Sequence, residues 1–294
     1  MKILITGKSS YVGEKLREWL LKWPDKYEIT FLSLRGDEWR NIDFSVFDVI
    51  VHLVALVHQK ESPKMKEEYN KINRDLTIEV ALKAKREKVS QFIFLSSMSV
   101  YGLDGNTSKE VIIKNDTSYH PNTYYGKSKL EAEILLGKLE DNEFTISIIR
   151  PPMIYGADCP GNYQRLRKVA LVTPIFPQVT SERSMIYIDN LSEFIKLVID
   201  NRESGVLFPQ NKEFVITSKL VELIAINNGK RIYFSEFLGK ILILLARRSR
   251  TINKVIGDLK YETKLSSYKD FDYCIYNLSD SIKITENKPK GFHI

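Results

Sequence analysis

Apolar residues gather along this chain in two rhythms. Short β-branched runs read as strands buried on both faces: Lys2–Thr6 (KILIT), Tyr27–Leu34, Val46–Val54, Gln91–Ser96 (QFIFLS) and Thr145–Arg150 (TISIIR). Between them, apolar positions recur every three or four residues, which predicts helices over Glu14–Leu21, Tyr69–Lys88 and Tyr124–Leu139. Strands alternating with helices predict an α/β fold, a doubly wound parallel sheet with helices on both faces. The rhythm loosens after Pro151 and Pro152. Pro160, Gly161, Pro174 and Pro177 mark a loop-rich stretch expected to open a second, smaller lobe. Asn190–Ile199 reads as a further helix capped by Asp189 and Asn190, and Phe237–Ala246 as another.

Composition narrows the class. Of 294 residues, 43% are hydrophobic and 28% charged, enough apolar surface for a sizeable core. Cys159 and Cys274 are too few for a disulfide framework and fit a reducing compartment. The start, MKILITGKSS, has no signal-peptide pattern, so a cytoplasmic location is expected. The four histidines, His52, His58, His120 and His293, show no metal-ligand spacing, and no metal is expected. No Gly-x-Ser-x-Gly elbow occurs, which argues against a hydrolase. The net charge is +7. Gly229 to Lys260 alone holds eight basic and two acidic residues, without a nucleic-acid-binding motif, so no nucleic-acid partner is expected.

Chemistry begins where the first strand ends. TGKSSYVG gives a loop of Gly7, Lys8, Ser10, Tyr11, Val12 and Gly13 between strand and helix. Such a turn aims backbone N–H groups at a dinucleotide diphosphate, helped by the helix dipole. Gly7 permits the tight turn, and Gly13 permits close packing of helix on strand. The second strand ends FLSLRG, with Ser33 and Arg35 where an acidic residue would bind the ribose hydroxyls of NAD. Serine and arginine, with Lys8 of the glycine loop as a second cation, suit a 2′-phosphate, so NADP is the expected cofactor, with NAD the alternative.

Tyr125 and Lys129 stand at i and i+4 in YYGKSKLEAE, on one helix face. An ammonium there is expected to lower the phenol's pKa and make Tyr125 a general acid–base. Ser97, at the end of the fourth strand in SSMSVYG, is expected to hydrogen-bond a substrate oxygen.

With these motifs the chain resembles the extended short-chain dehydrogenases/reductases, the NAD-dependent epimerase/dehydratase group. TGKSSYVG, VHLVA, Asn73 with Thr77, SSMSVYG, YYGKSKLEAE, RPPMIYG and RSMIYIDNL carry the resemblance, which covers Lys2 to Ile199 well. It implies a Rossmann-type domain over residues 1–155, with a return contribution near 183–200, and a nucleotide-sugar lobe over 156–294. It implies Ser97, Tyr125 and Lys129 as catalytic residues. His52, Leu53, Val54, Ala55 and Asn73 would line the cofactor, Arg183 would contact the substrate diphosphate, and Met153 would touch substrate. A homodimer through the Tyr125 helix is the family habit.

Three departures are informative. Met153 replaces an asparagine of the sugar epimerases, Ser10 a glycine, and Ser33 the acidic residue. RPPMIYG is closer to 4-keto-sugar reductases of polysaccharide clusters. Reduction of a nucleotide-linked 4-keto sugar is therefore the first expectation, 4-epimerisation the alternative, and a non-catalytic nucleotide-binding regulator a remote one. A dehydratase is disfavoured, because Met98 and Ser99 replace its acidic pair.

One segment stays outside this scheme. FLGKILILLA runs into Arg247, Arg248, Arg250 and Lys254. Its apolar stretch of about ten residues is the length of a core helix rather than a membrane span. The expectation is a helix buried in the second lobe, no membrane insertion, and a protein that stays in solution in the presence of anionic vesicles.

Overall fold

A computed structural model describes residues 1–57, 62–246, 248–249, 252–253 and 256–287. His58, His293, Arg247, Arg250 and Lys254 lie outside the described residues. The chain divides into two compact units: residues 1–102, 118–151 and 191–209 form the first, and residues 103–117, 152–190 and 210–294 the second.

The first unit is built on one six-stranded parallel sheet. Numbered along the whole chain, its strands are β1 (Lys2–Thr6), β2 (Glu28–Leu32), β3 (Val49–His52), β4 (Gln91–Leu95), β6 (Thr145–Ile149) and β11 (Gly205–Leu207). They lie in the order β11-β6-β4-β3-β1-β2. All adjacent pairs are parallel. The strands are apolar because both faces are covered: every residue of β3 is buried. One layer of the core joins Leu4, Ile50, Phe92 and Ile146 of the sheet to Val80, Ala84, Ala132 and Leu136 of the helices.

The helices of this unit include α1 (Tyr11–Leu20), α2 (Lys66–Tyr69), α3 (Leu76–Arg86) and α4 (Tyr124–Gly137). The helix expected from Glu14 starts at Tyr11 instead. Ser10 is the N-cap, its Oγ accepting from the Gly13 N–H at 3.3 Å, so Tyr11, Val12 and Gly13 form the first helical turn. The long helix expected over Tyr69–Lys88 is interrupted: between α2 and α3, Asn70–Asp75 winds as a π-helix. Such widened turns recur at functional positions.

The second unit is assembled from short pieces. Its strands are β5 (Ile112–Ile113), β7 (Met153–Tyr155), β8 (Ile175–Pro177), β9 (Glu182–Arg183), β10 (Met185–Tyr187), β12 (Val215–Ile216), β13 (Tyr233–Ser235) and β14 (Lys260–Tyr261). They make four two-stranded sheets: β7 with β10, β9 with β12, β8 with β13, and β5 with β14. Helices α5 (Asn162–Val172), α7 (Thr217–Asn227) and Leu278–Asn287 complete its core, with α8 (Glu236–Ala246) at its surface. Helix α6 (Ile188–Asp200) begins in this unit and continues into the first from Leu191. Asp189 and Asn190 therefore lie inside its first turn. Asn190 is buried and bonds Asn211 and the Tyr276 carbonyl, a cross-link rather than a cap.

α8 is not the buried helix its composition predicts. Only Gly239 and Ala246 are fully buried, while Phe237 is 71% and Leu244 62% exposed. One helix face packs on the unit, and nothing among the described residues covers the other. No helix among the described residues is long and apolar enough to cross a membrane.

Candidate active site

The glycine loop sits at the C-terminal end of β1. Gly7 has φ +93°, a left-handed value that favours glycine, and its N–H donates to the Leu32 carbonyl at 3.1 Å. A Cβ on Gly13 would lie 3.2 Å from Leu53 Cδ1 and 3.3 Å from Phe31 Cε1, so α1 presses directly on the sheet. Lys8 is exposed beside Gly7. Ser33 and Arg35 follow β2 and are both exposed, and the Arg35 N–H donates to Ser33 Oγ at 3.3 Å.

After β3 the chain passes through buried Leu53 and half-buried Val54 and Ala55. Asn73, in the π-turn, grips the next residue: its Oδ1 accepts from the Leu56 N–H at 2.7 Å, and its Nδ2 donates to the Leu56 carbonyl at 3.2 Å. Nδ2 also donates to Ser128 Oγ at 3.1 Å, and that hydroxyl donates to the Tyr125 carbonyl at 2.9 Å. Asn73 is fully buried, so it ties the segment after β3 to the first turn of α4.

His52 lies behind this segment. Its Nδ1 is 3.0 Å from Thr6 Oγ1 and its Nε2 3.0 Å from Thr77 Oγ1, and it stacks on Phe92 and Phe94. Burial holds its pKa down to about 3, and the charge of Lys129 acts in the same direction. A neutral, saturated imidazole here joins β1, β3 and α3. Among the described residues no cluster of His, Cys, Asp or Glu is arranged to hold a metal ion.

Ser97 follows β4 and caps the short helical turn Met98–Tyr101, accepting from the Ser99 N–H at 3.2 Å. It also hydrogen-bonds the phenol of Tyr125. Lys129, one turn along α4, donates to the Leu95 carbonyl at 2.8 Å, with its ammonium 4.3 Å from the centre of the Phe94 ring. The structure thus brings Ser97, Tyr125 and Lys129 together at the C-terminal end of β4.

The electrostatics differ from the expectation of a lowered phenol pKa. Burial pushes Tyr125 up to about 12; Tyr69 adds to this and the Ser97 bond opposes it. Burial also brings Lys129 down to about 7, opposed by Glu133. Sequence spacing puts Tyr125 and Lys129 on one face, but it cannot show how far water is excluded from both.

Two charged residues that carry no role in the sequence reading underlie this site. Glu133, one turn beyond Lys129, accepts two bonds from Arg150 Nε, at 3.1 and 3.2 Å, and one from Nη2 at 2.5 Å. Ser96 donates to the same carboxylate. Arg150 Nη1 donates to the hydroxyls of Tyr101, at 2.8 Å, and Tyr119, at 3.2 Å. Arg150 and Glu133 are 2% and 4% exposed. The network locks the ends of β4 and β6 to α4 beneath Ser97. An unbroken charge at the end of an apolar strand, Arg150, was the available signal.

Met153 and Arg183 belong to the second unit. Met153 opens β7, half-buried and paired with Met185 of β10. Arg183, in β9, donates from Nη1 to the Gly257 carbonyl at 2.5 Å. Gly105 closes over it, where a Cβ would lie 2.8 Å from Nη1. Burial lowers the Arg183 pKa to about 10, against the pull of Asp258.

The chain is 29% identical over 248 residues to a UDP-glucose 4-epimerase of Vibrio cholerae, covering 76% of this chain and 75% of that protein. It is 30% identical over 222 residues to an N-acetyl-alpha-D-glucosaminyl-diphospho-ditrans,octacis-undecaprenol 4-epimerase of Escherichia coli O157:H7, covering 69% of this chain and 64% of that protein. Its fold resembles that of a UDP-glucuronic acid 4-epimerase from Bacillus cereus in complex with NAD, with a TM-score of 0.74 at 22% identity, over 97% and 95% of the two chains. The sequence profile of one family matches residues 3–217. The strand–glycine-loop–helix start, the Ser97, Tyr125 and Lys129 cluster and that match together establish that the chain belongs to the NAD dependent epimerase/dehydratase family.

Proposed function

We propose that the protein interconverts alcohol and ketone at C4 of a nucleotide-linked sugar. The observation that carries this reading is the hydrogen-bonded Ser97–Tyr125 pair at the end of β4, with Lys129 one turn further along α4. The names of the two curated relatives, both 4-epimerases, support the same carbon.

The glycine loop fits a dinucleotide. Gly7 gives the loop its left-handed turn at the end of β1 and Gly13 lets α1 press on the sheet, so the N-terminal turn of α1 would receive the diphosphate. Bound NAD or NADP supplies the hydride acceptor or donor. The protein's own groups manage the proton. Tyr125 exchanges its phenolic proton with the oxygen on C4, and Ser97 Oγ hydrogen-bonds that oxygen as its charge changes. The Ser97 bond favours the phenolate of Tyr125 against burial, and the Glu133 carboxylate favours the ammonium form of Lys129 against burial. Arg183 suits the substrate diphosphate through a planar, bidentate donor, with Met153 as an apolar contact to the sugar.

The finer reading is a 4-keto-sugar reductase that uses NADP. Exposed Ser33 and Arg35, with no carboxylate among the three residues directly after β2, support it. NADPH is therefore expected to bind more tightly than NADH. Arg35→Ala should erase most of the difference, a loss of about 1.5–3 kcal/mol for one charge-assisted contact. Equal affinities in the unmodified protein, measured by fluorescence titration, would reject the 2′-phosphate site.

The second reading is 4-epimerisation, carried by the two relatives. Incubation with UDP-sugars and with nucleotide-linked 4-keto sugars, with and without NADPH, separates the two. A reductase consumes NADPH in proportion to product, whereas an epimerase equilibrates C4 epimers with no net consumption. Turnover of neither substrate class would remove the C4 assignment.

A further inference from the structure

The outward face of α8 is apolar where a surface helix is ordinarily polar. Gly239, Leu242 and Ala246 turn inward. A Cβ on Gly239 would lie 2.2 Å from the Gln178 carbonyl oxygen, and Ala246 packs with Val179 and Ile256. The opposite face presents Phe237, Ile241, Leu244 and Leu245, at i, i+4, i+7 and i+8, exposed by 71%, 39%, 62% and 54%. The patch extends along the unit: Tyr233 of β13 is 67% exposed and pairs in register with Ile175 of β8, itself 49% exposed. Single exposed apolar residues are ordinary, but a helix face of them marks an interaction surface.

The charge beside this face selects the partner. Lys240 and Arg248 are exposed on α8 and just beyond it, and Lys230 and Arg231 are exposed just before β13. Glu236 is the one carboxylate among residues 229–246, while Lys260, further along, is buried and bonded to Glu110 and Glu182. A second copy of the chain on this face would set Lys230, Arg231, Lys240 and Arg248 against their own counterparts, like charge on like. An anionic surface with an apolar interior satisfies both the cations and the exposed side chains.

We propose that α8 docks the protein onto an anionic phospholipid surface, with Phe237, Ile241, Leu244 and Leu245 among the acyl chains and Lys240 and Arg248 at the headgroups. The helix needs no polar face of its own, because its inner face is packed on protein rather than turned to water. This is docking on a membrane and not passage through it. It replaces the buried helix expected from sequence, and it holds whichever C4 reaction the enzyme performs.

Co-sedimentation of the full chain with phosphatidylglycerol–phosphatidylethanolamine vesicles tests it without any substrate. Binding at about 0.15 M salt should exceed that to phosphatidylcholine vesicles at least tenfold, and should fall as salt screens the cations. Phe237→Ser with Leu244→Ser should lower it at least tenfold, with the melting temperature unchanged. Arg248→Gln should lower it about fivefold, the weight of one cation near such a surface. Protein that stays in the supernatant overturns the proposal, as does binding indifferent to the double substitution. So does a dimer in analytical ultracentrifugation that the double substitution dissociates and that does not bind vesicles, since a second copy would then cover this face.

Discussion

Tyr125→Phe is expected to lower turnover by about two to four orders of magnitude, the usual weight of one general acid–base group. The substitution removes a single oxygen. The ring remains in the first turn of α4, and Ser97 keeps the bond from the Ser99 N–H that fixes its position. Dinucleotide affinity and thermal stability should therefore stay close to those of the unmodified protein. Steady-state kinetics on whichever C4 substrate turns over, with a dinucleotide titration alongside, provides the check. Turnover within threefold of the unmodified enzyme would take Tyr125 out of the chemistry.

The second large effect is on stability. Arg150→Met should cost about 3–5 kcal/mol, because it leaves the Glu133 carboxylate buried without its cation. Two tyrosine hydroxyls, of Tyr101 and Tyr119, lose a donor at the same time. Urea unfolding should show the midpoint fall with little change in slope, since the surface exposed on unfolding is nearly the same. A loss below about 1 kcal/mol would mean that water or another group reaches the carboxylate.

The parts of this molecule legible in sequence are those governed by local pattern. β1, β3, β4 and β6 are apolar runs because both their faces are covered, and burial alone produces that signature. The glycine loop and the Ser97, Tyr125 and Lys129 cluster are legible because strand ends and helix turns set their spacing. Legibility stops where an outcome depends on what lies across the fold. Asn73 reads as a cofactor-lining residue, yet its amide is consumed by Leu56 and Ser128, which a π-turn brings within reach. Spacing puts Lys129 on the face of Tyr125, but the Leu95 carbonyl that receives its ammonium lies on another element. The helices α5, α7 and Leu278–Asn287 lie beyond Pro152, where the apolar rhythm loosens, because strands of two or three residues between them carry almost no period. α8 shows the converse. An apolar run states that its residues avoid water, and only the neighbours that are present decide whether core or surface is where they end.

The pairing of β5 with β14 orders events during synthesis. The sheet of the first unit is complete once Leu207 of β11 has been made, and its strands can close while the rest of the chain is still being translated. Ile112 and Ile113 emerge long before their partners, Lys260 and Tyr261. Lys260 also bonds Glu110 and Glu182 on arrival. The excursion 103–117 must therefore wait without its β14 partner after the sheet of the first unit is complete. A ribosome that stalls between these points would release a chain with a finished first unit and an open second one, and quality control would meet that species first.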